Sequence, residues 1–302
     1  MSGVLKEVIT HARDYDFETI FGELDKATIY PLVYEIPKDK TGTLKDQGKV
    51  GACVAEVVCQ IAEVLWKDIL GEEALEMSEG FSYASLRGDD HDGYGLIISQ
   101  AMKLWCEIGT LPKKYFDKLC EMPDIKTIVD AVPDFYQVAQ KYRISGYCTL
   151  NYANKAKRDS CIKQALSSLG YGIVAVSHDW FSGGSHCIQI VGWNDESDTY
   201  IFKNSWGKDY GEDGFAKIPK SEIDCAYLPV LEDIKLPFSD VHEDAWYYKF
   251  VKNMYFSGLM KGTSEDSFEP DRAITRAEAA ALSYNILKAM DERFDILNKI
   301  LK

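Results

Sequence analysis

The stretch GYGIVAVSHDWFSGGSHCIQIVGWNDESDTYIFKNSWGKDYGEDGFAKIP, residues 170–219, decides the fold class. Within it GIVAVSH, SHCIQIVGW, TYIFKNSW and GFAKIP are short β-branched or aromatic runs separated by Gly, Asn, Asp and Ser, which predicts antiparallel strands. Upstream the period is different. In CVAEVVCQIAEVLWKDIL, residues 53–70, the apolar positions Val54, Val57, Val58, Ile61, Val64, Leu65 and Ile69 recur at three and four, with Gly71 as a stop. That predicts a helix with Cys53 at its N-terminus. Two more helices are predicted over 96–108, before Gly109, and about 156–169, before Gly170. Helices first and strands later predict an α+β domain whose two halves pack together around a cleft.

At 302 residues the chain holds one large domain or a medium and a small one. With 46% hydrophobic and 27% charged residues it is globular, not disordered or of low complexity. The net charge of −14 and pI of about 4.9, with no basic patch, argue against nucleic acid and anionic membranes as partners. No apolar run is long enough to span a membrane, and the charged start MSGVLKEVITHARDYDFETI does not read as an export signal. Eight cysteines, none in a C-x-x-C pair, are expected to be separate reduced thiols, with no metal site.

Four residues stand out: Gln47, Cys53, His186 and Asn204, in DQGKVGACVAEVV, GGSHCIQIVGW and FKNSWGKDYGEDGF. A cysteine at a helix N-terminus meets unpaired backbone N–H groups and the positive end of the helix dipole, which favour a thiolate. A histidine facing it from the strand half completes a nucleophile and proton donor. Asn204 is expected to orient the imidazole. Gln47, six residues before Cys53, is placed to join the Cys53 N–H as donors to a developing oxyanion.

These residues and their order resemble the papain-like cysteine peptidase family. His186 and Asn204 lie 133 and 151 residues after Cys53, spacings that suit the family, and NSWGKDYGEDGF is the strongest local match. The resemblance implies a two-lobed fold, with a helical lobe and an antiparallel β lobe, over residues 28–230. It implies peptide-bond hydrolysis through a Cys53 thioester, with a peptide or protein substrate and no cofactor. It also implies that Trp206 shields the His186–Asn204 pair. Gly93 and Tyr94, in DDHDGYGLIISQAM, together with Ser185, are implied as substrate-binding residues. The chain departs from the family pattern around the nucleophile, with Val50, Gly51, Ala52 and Val54 where an upstream cysteine and a following tryptophan are usual. Residues 1–27 are expected to form an N-terminal appendage that covers the cleft.

The tail resembles a single S-layer homology module over 237–290, on the phrases FSDVHEDAWYYKFV, GLMKGTSEDSFEPD and ITRAEAAAL, followed by a helical tail at 291–302. This implies a small all-helical unit that docks on secondary cell-wall polymer, with Arg276 as the contact to an acidic sugar substituent. Arg276 reads equally as a structural ion-pair partner. Residues 237–302 carry 9 basic and 11 acidic residues, so the acidity belongs to the first domain.

Blander readings cover the remaining residues. Trp246 and Tyr247 are expected in the core of the small module, His178 in a loop, and His91 among Asp89, Asp90 and Asp92 in a solvated turn. Cys59, Cys106, Cys120, Cys148, Cys161, Cys187 and Cys225 are expected as buried thiols. The module points to a bacterial cell surface or secreted protein, the charged N-terminus to a cytoplasmic one. The competing reading of function is a vestigial peptidase domain acting as a surface-binding scaffold.

Overall fold

The computed structural model describes residues 14–15, 17–21, 24, 28–70, 75–87, 95–119, 134–150, 154–180, 184–231, 236, 238–256, 259–264 and 266–301. The chain divides into two compact units, the first ending at Leu231 and the second running from Glu232 to Leu301.

In the first unit the helices are α1 (Phe17–Phe21), α2 (Cys53–Leu70), α3 (Glu79–Arg87), α4 (Ile98–Glu107), α5 (Phe135–Ala139) and α6 (Lys155–Leu169). The strands are β1 (Val33–Glu35), β2 (Gly146–Leu150), β3 (Ile173–Trp180), β4 (Gly184–Asn194), β5 (Thr199–Lys203), β6 (Phe215–Pro219) and β7 (Cys225–Val230). They form one antiparallel sheet in the order β2-β7-β3-β4-β5-β6, with β1 added to β4. The long β4 takes β3 on its first part, Ile173 opposite Ile190, and β1 on its last, Val33 opposite Asn194.

The helix that the spacing predicts at 53–70 is there, but it is no surface helix. Every residue from Cys53 to Leu65 is at most 6% exposed. A helix wrapped on all sides buries its polar stripe as well, so Glu56, Gln60 and Glu63 lie inside the protein. Its apolar side chains pack with Val174, Cys187, Cys225 and Tyr227 of the sheet, at about 1.5–3 kcal/mol for each large side chain buried. This contact fixes the helical half against the strands. α6 has the stops its sequence predicts: Asn154 accepts the Lys157 N–H at 3.1 Å, and Gly170 closes the helix in the left-handed region at φ 68°.

The N-terminal segment read as an appendage is in part built into the unit. Asp14 accepts the Thr149 N–H and hydroxyl at 2.9 and 2.7 Å, Tyr15 N–H reaches the Tyr147 carbonyl, and Phe17 is 1% exposed. The chain then reaches β1, where Tyr34 stacks on Trp193 and the Trp193 indole donates to the Pro31 carbonyl. His178, expected in a loop, lies in β3.

The second unit carries α7 (Tyr248–Phe256) and α8 (Arg276–Leu301), and has a small core of Phe238, Val241 and Val251. α8 runs on without a break through the predicted helical tail. Asp240 ties the intervening loop, accepting the N–H groups of Phe268 and Glu269 and the Ser267 hydroxyl. Thr275 and Glu278 cap α8 reciprocally, each side chain taking the other's N–H, at 3.2 and 2.8 Å. The Arg272 guanidinium pairs with Glu278, whose carboxyl it holds down to about 2. Trp246, expected in the core, is 82% exposed, because Tyr247 is the side chain that packs against Phe238, Val241 and Val251. Among the described residues no helix is long and apolar enough to cross a membrane.

Candidate active site

Cys53 is the first residue of α2, so its side chain sits where the helix's first N–H groups lack intrahelical partners. It is fully buried, in the same cluster as Cys187 of β4. His186 is the third residue of β4 and Asn204 follows the last residue of β5, the strand paired to β4. Both are fully buried.

The Asn204 amide is fixed unambiguously. Its Oδ1 accepts the backbone N–H of Ser205 at 2.9 Å, so that atom is oxygen, and the His186 Nε2 lying 2.7 Å from it must be the protonated nitrogen. The neutral ring then carries its lone pair on Nδ1. Trp206 covers the pair, its ring 4.8 Å from the imidazole and edge-on to Tyr210 at 5.1 Å. Burial pushes the His186 imidazole down to about 4, against the pull of the Asn204 hydrogen bond. Burial likewise raises Tyr210, with Asn204 acting the other way.

The loop after Asn204 folds because its glycines do. Gly207, Gly211 and Gly214 all take positive φ, at 70°, 60° and 87°, a region that residues with a Cβ avoid. The loop lies against residues 45–47: Gln47 N–H donates to the Ser205 carbonyl and Gly207 N–H to the Lys45 carbonyl, both at 2.9 Å. Gln47 is therefore joined to the residue next to Asn204. Its Oε1 accepts the Ser205 hydroxyl at 2.6 Å, and its Nε2 donates one hydrogen to the Val50 carbonyl at 2.7 Å. This leaves the second Nε2 hydrogen for another acceptor.

Of the remaining expected site residues, Ser185 is buried beside His186 and Trp206 is half-buried. Gly93 and Tyr94 lie outside the described residues, as do Cys120 and the His91 turn. Arg276 is exposed at the start of α8, and the ion pairs at that end, to Glu269 and Glu278, are made by Arg272. The other six cysteines among the described residues are buried. Burial lifts Cys59 and Cys187 well above the usual thiol range and Cys225 to about 11. Among the described residues no group of His, Cys, Asp and Glu is placed to hold a metal ion.

Several residues that the sequence did not single out support the site. Ser205 orients Gln47 and fixes Asn204 at once. The Lys45 ammonium, buried, bonds Glu63 at 2.6 Å and Glu79 at 2.7 Å. Burial would lower its pKa, but Glu63 and its other neighbours hold it above the ordinary lysine value. Glu56, buried on α2 three residues after Cys53, is pushed well above the carboxylate range by burial and by Glu79. The NSWG phrase was the signal for Ser205; nothing in the sequence marks Lys45.

A family described as papain family cysteine protease matches residues 35–228, and the S-layer homology domain matches residues 237–280. The chain is similar to a viral cathepsin of Heliothis zea nuclear polyhedrosis virus, 27% identical over 216 residues, which are 63% of this chain and 52% of the viral protein. It is also similar to cathepsin B-like CP2 of Giardia intestinalis, 36% identical over 58 residues, 18% of this chain and 19% of that protein. The chain thus spans about half the length, or less, of these relatives. Among solved structures, xylellain, a cysteine protease from Xylella fastidiosa, is 21% identical with a TM-score of 0.53, covering 76% of this chain and 96% of its own. Procathepsin B S9 from Trypanosoma congolense is 16% identical with a TM-score of 0.52, covering 68% of this chain and 79% of its own. These two likenesses establish the fold.

Proposed function

Because this chain belongs to the papain family of cysteine proteases, we propose that it hydrolyses peptide bonds through a thioester on Cys53. The observation that carries this reading is the His186 Nε2–H bond to Asn204 Oδ1 at 2.7 Å, which leaves the other ring nitrogen as a base. In the proposed reaction His186 Nδ1 takes the Cys53 thiol proton. The thiolate attacks the substrate carbonyl carbon, and the C=O electron pair moves to oxygen, where the second Nε2 hydrogen of Gln47 and the Cys53 backbone N–H receive it. The imidazolium then gives its proton to the departing amine. Water, deprotonated by the same nitrogen, opens the thioester and releases the carboxylate. Removing one such oxyanion donor typically costs a few kcal/mol of barrier, so Gln47 and Cys53 account for much of the expected rate.

Gly93, Tyr94 and Ser185 are proposed to line the substrate cleft, with Trp206 bordering the leaving-group side. Cys53 and His186 are fully buried, and residues 1–27 are proposed to be the segment that covers them. The second unit is proposed to hold the enzyme at a bacterial cell surface by docking on secondary cell-wall polymer, with Arg276 as an exposed guanidinium for an acidic sugar. Arg276→Ala is then expected to reduce co-sedimentation with purified wall, while Arg272→Ala leaves it unchanged.

The decisive experiment is hydrolysis of a mixed fluorogenic peptide library under reducing conditions by the full chain and by Cys53→Ala. Turnover lost in the variant supports the peptidase reading. No turnover in either, together with iodoacetamide labelling of Cys53 no faster than free cysteine, supports the scaffold reading instead.

A further inference from the structure

Lys203 takes no part in the proton transfers above, yet it is the residue before Asn204 and ends β5. Its side chain is buried at 2% exposure. Its Nζ donates to the carbonyl oxygens of Thr41 at 3.0 Å, Gly42 at 2.6 Å and Thr43 at 3.0 Å, and lies 3.2 Å from the Thr41 hydroxyl. Three carbonyls around one nitrogen call for three N–H donors, and only the ammonium form has three and no lone pair. Burial pushes it down to about 7, with Glu63 working against that shift and Lys45 with it. An apolar side chain of the same length would fill this space at a smaller desolvation cost. What the ammonium adds is direction: it fixes where three carbonyls point.

The segment it grips is held from the other side by α2. Gly42, at φ 75°, lies so close to that helix that a Cβ would sit 2.1 Å from the Gln60 carbonyl oxygen. Glu63 of α2 accepts both the N–H and the hydroxyl of Thr43 at 2.7 Å and pairs with Lys45. Residues 41–45 are thus clasped between the strand that leads to Asn204 and the helix that begins with Cys53. The same segment runs directly into residues 45–47, whose backbone bonds the loop after Asn204.

We propose that Lys203 is a positioning residue, its ammonium clasping residues 41–43 and so holding Gln47, Asn204 and the Cys53 helix in one fixed arrangement. The consequence for rate rests on the peptidase reading above; the clasp itself does not.

Lys203→Met and Lys203→Arg, made in the full chain, test it by hydrogen exchange and by steady-state kinetics. In the Met variant the amides of residues 41–47 are expected to exchange about tenfold faster or more, while β3 and β4 keep their protection. Its kcat is expected to fall about tenfold to a hundredfold with KM within about twofold, the cost of a site displaced by about 1 Å. Arg, which keeps the charge and the donors, recovers part of both. A Met variant with wild-type kcat, exchange that rises evenly across the first unit, or Arg no better than Met overturns the proposal. If the Met variant does not fold, Thr41→Val removes one acceptor and carries the same readouts, with kcat lower by about twofold to fivefold; unchanged exchange at 41–47 and unchanged kcat overturn it. A wild-type chain that turns over no peptide and whose Cys53 labels no faster than free cysteine sinks the peptidase reading alone, and the exchange data then decide on the clasp.

Discussion

Replacing Cys53 by Ala separates the two forces that set the charge on His186. Burial lowers the imidazole from 6.5 to about 4. At about 1.4 kcal/mol for each pKa unit, that is roughly 3 kcal/mol against the imidazolium. A thiolate at ion-pair separation, taken as about 4 Å at an effective dielectric constant of about 20, would return about 4 kcal/mol. The two are close enough that the ion pair exists only while Cys53 supplies the negative charge. In Cys53→Ala, His186 is therefore expected to titrate near 4, and in the wild type higher, by as much as a Cys53 thiolate offsets the burial. NMR of the labelled imidazoles reads this directly, with His186→Gln used to assign the resonance among the five histidines. The sign for stability follows from the direction of the shift. In Cys53→Ala the folded state holds a neutral imidazole whose pKa lies below its unfolded value. Its contribution is fully present above pH 6.5 and is lost as pH falls toward 4. The variant should lose roughly 3 kcal/mol across that window relative to His186→Gln in the same background. His186 titrating at or above 6.5 in Cys53→Ala refutes the reasoning, as does wild-type alkylation that follows an ordinary thiol.

Lys45→Met leaves Glu63 and Glu79 buried without the ammonium they share, a loss of about 3–5 kcal/mol. For a unit of this size the melting temperature should drop by about 6–20 °C. A melting temperature within about 2 °C of the wild type counts against the buried pair. Ser205→Ala removes the hydroxyl that orients the Gln47 amide, and kcat should fall by about fivefold to tenfold with KM little changed; a change confined to KM would assign Ser205 to substrate binding. Deleting residues 1–13, which keeps the Asp14–Thr149 tie, should raise kcat/KM if the covering chain lies there, and equal rates in the two forms dismiss that idea.

The groups proposed to react are legible in the sequence because each carries a local signal. α2 shows its period and its stop, and NSWGKDYGEDGF shows a loop whose glycines need positive φ. The strands from β3 to β6 are β-branched runs between turn residues. β1 and β2 escape because Val33–Glu35 is too short to show a period and Gly146–Leu150 alternates weakly. β7 escapes because Pro229 argues against an inner strand. The sheet tolerates it because β7 pairs with β3 only at Cys225–Tyr227, so the missing N–H interrupts nothing on that side.

The support of the site is illegible for a different reason. Glu56, Gln60 and Glu63 recur at four and three along α2, the pattern of a solvated helix face, and no local pattern marks Lys45 or Lys203 as buried. Whether such a stripe meets water depends on what packs against it. Here the partners come from distant parts of the chain: Lys45 reaches Glu63 across 18 residues, and Lys203 reaches Thr43 across 160. No local period encodes such a pairing. Yet only a pairing of this range can hold a helix and a strand from opposite halves of the domain in register. A cysteine on one and a histidine on the other need that register to within a fraction of an ångström. The residues hardest to read are therefore the ones on which the geometry of the legible ones depends.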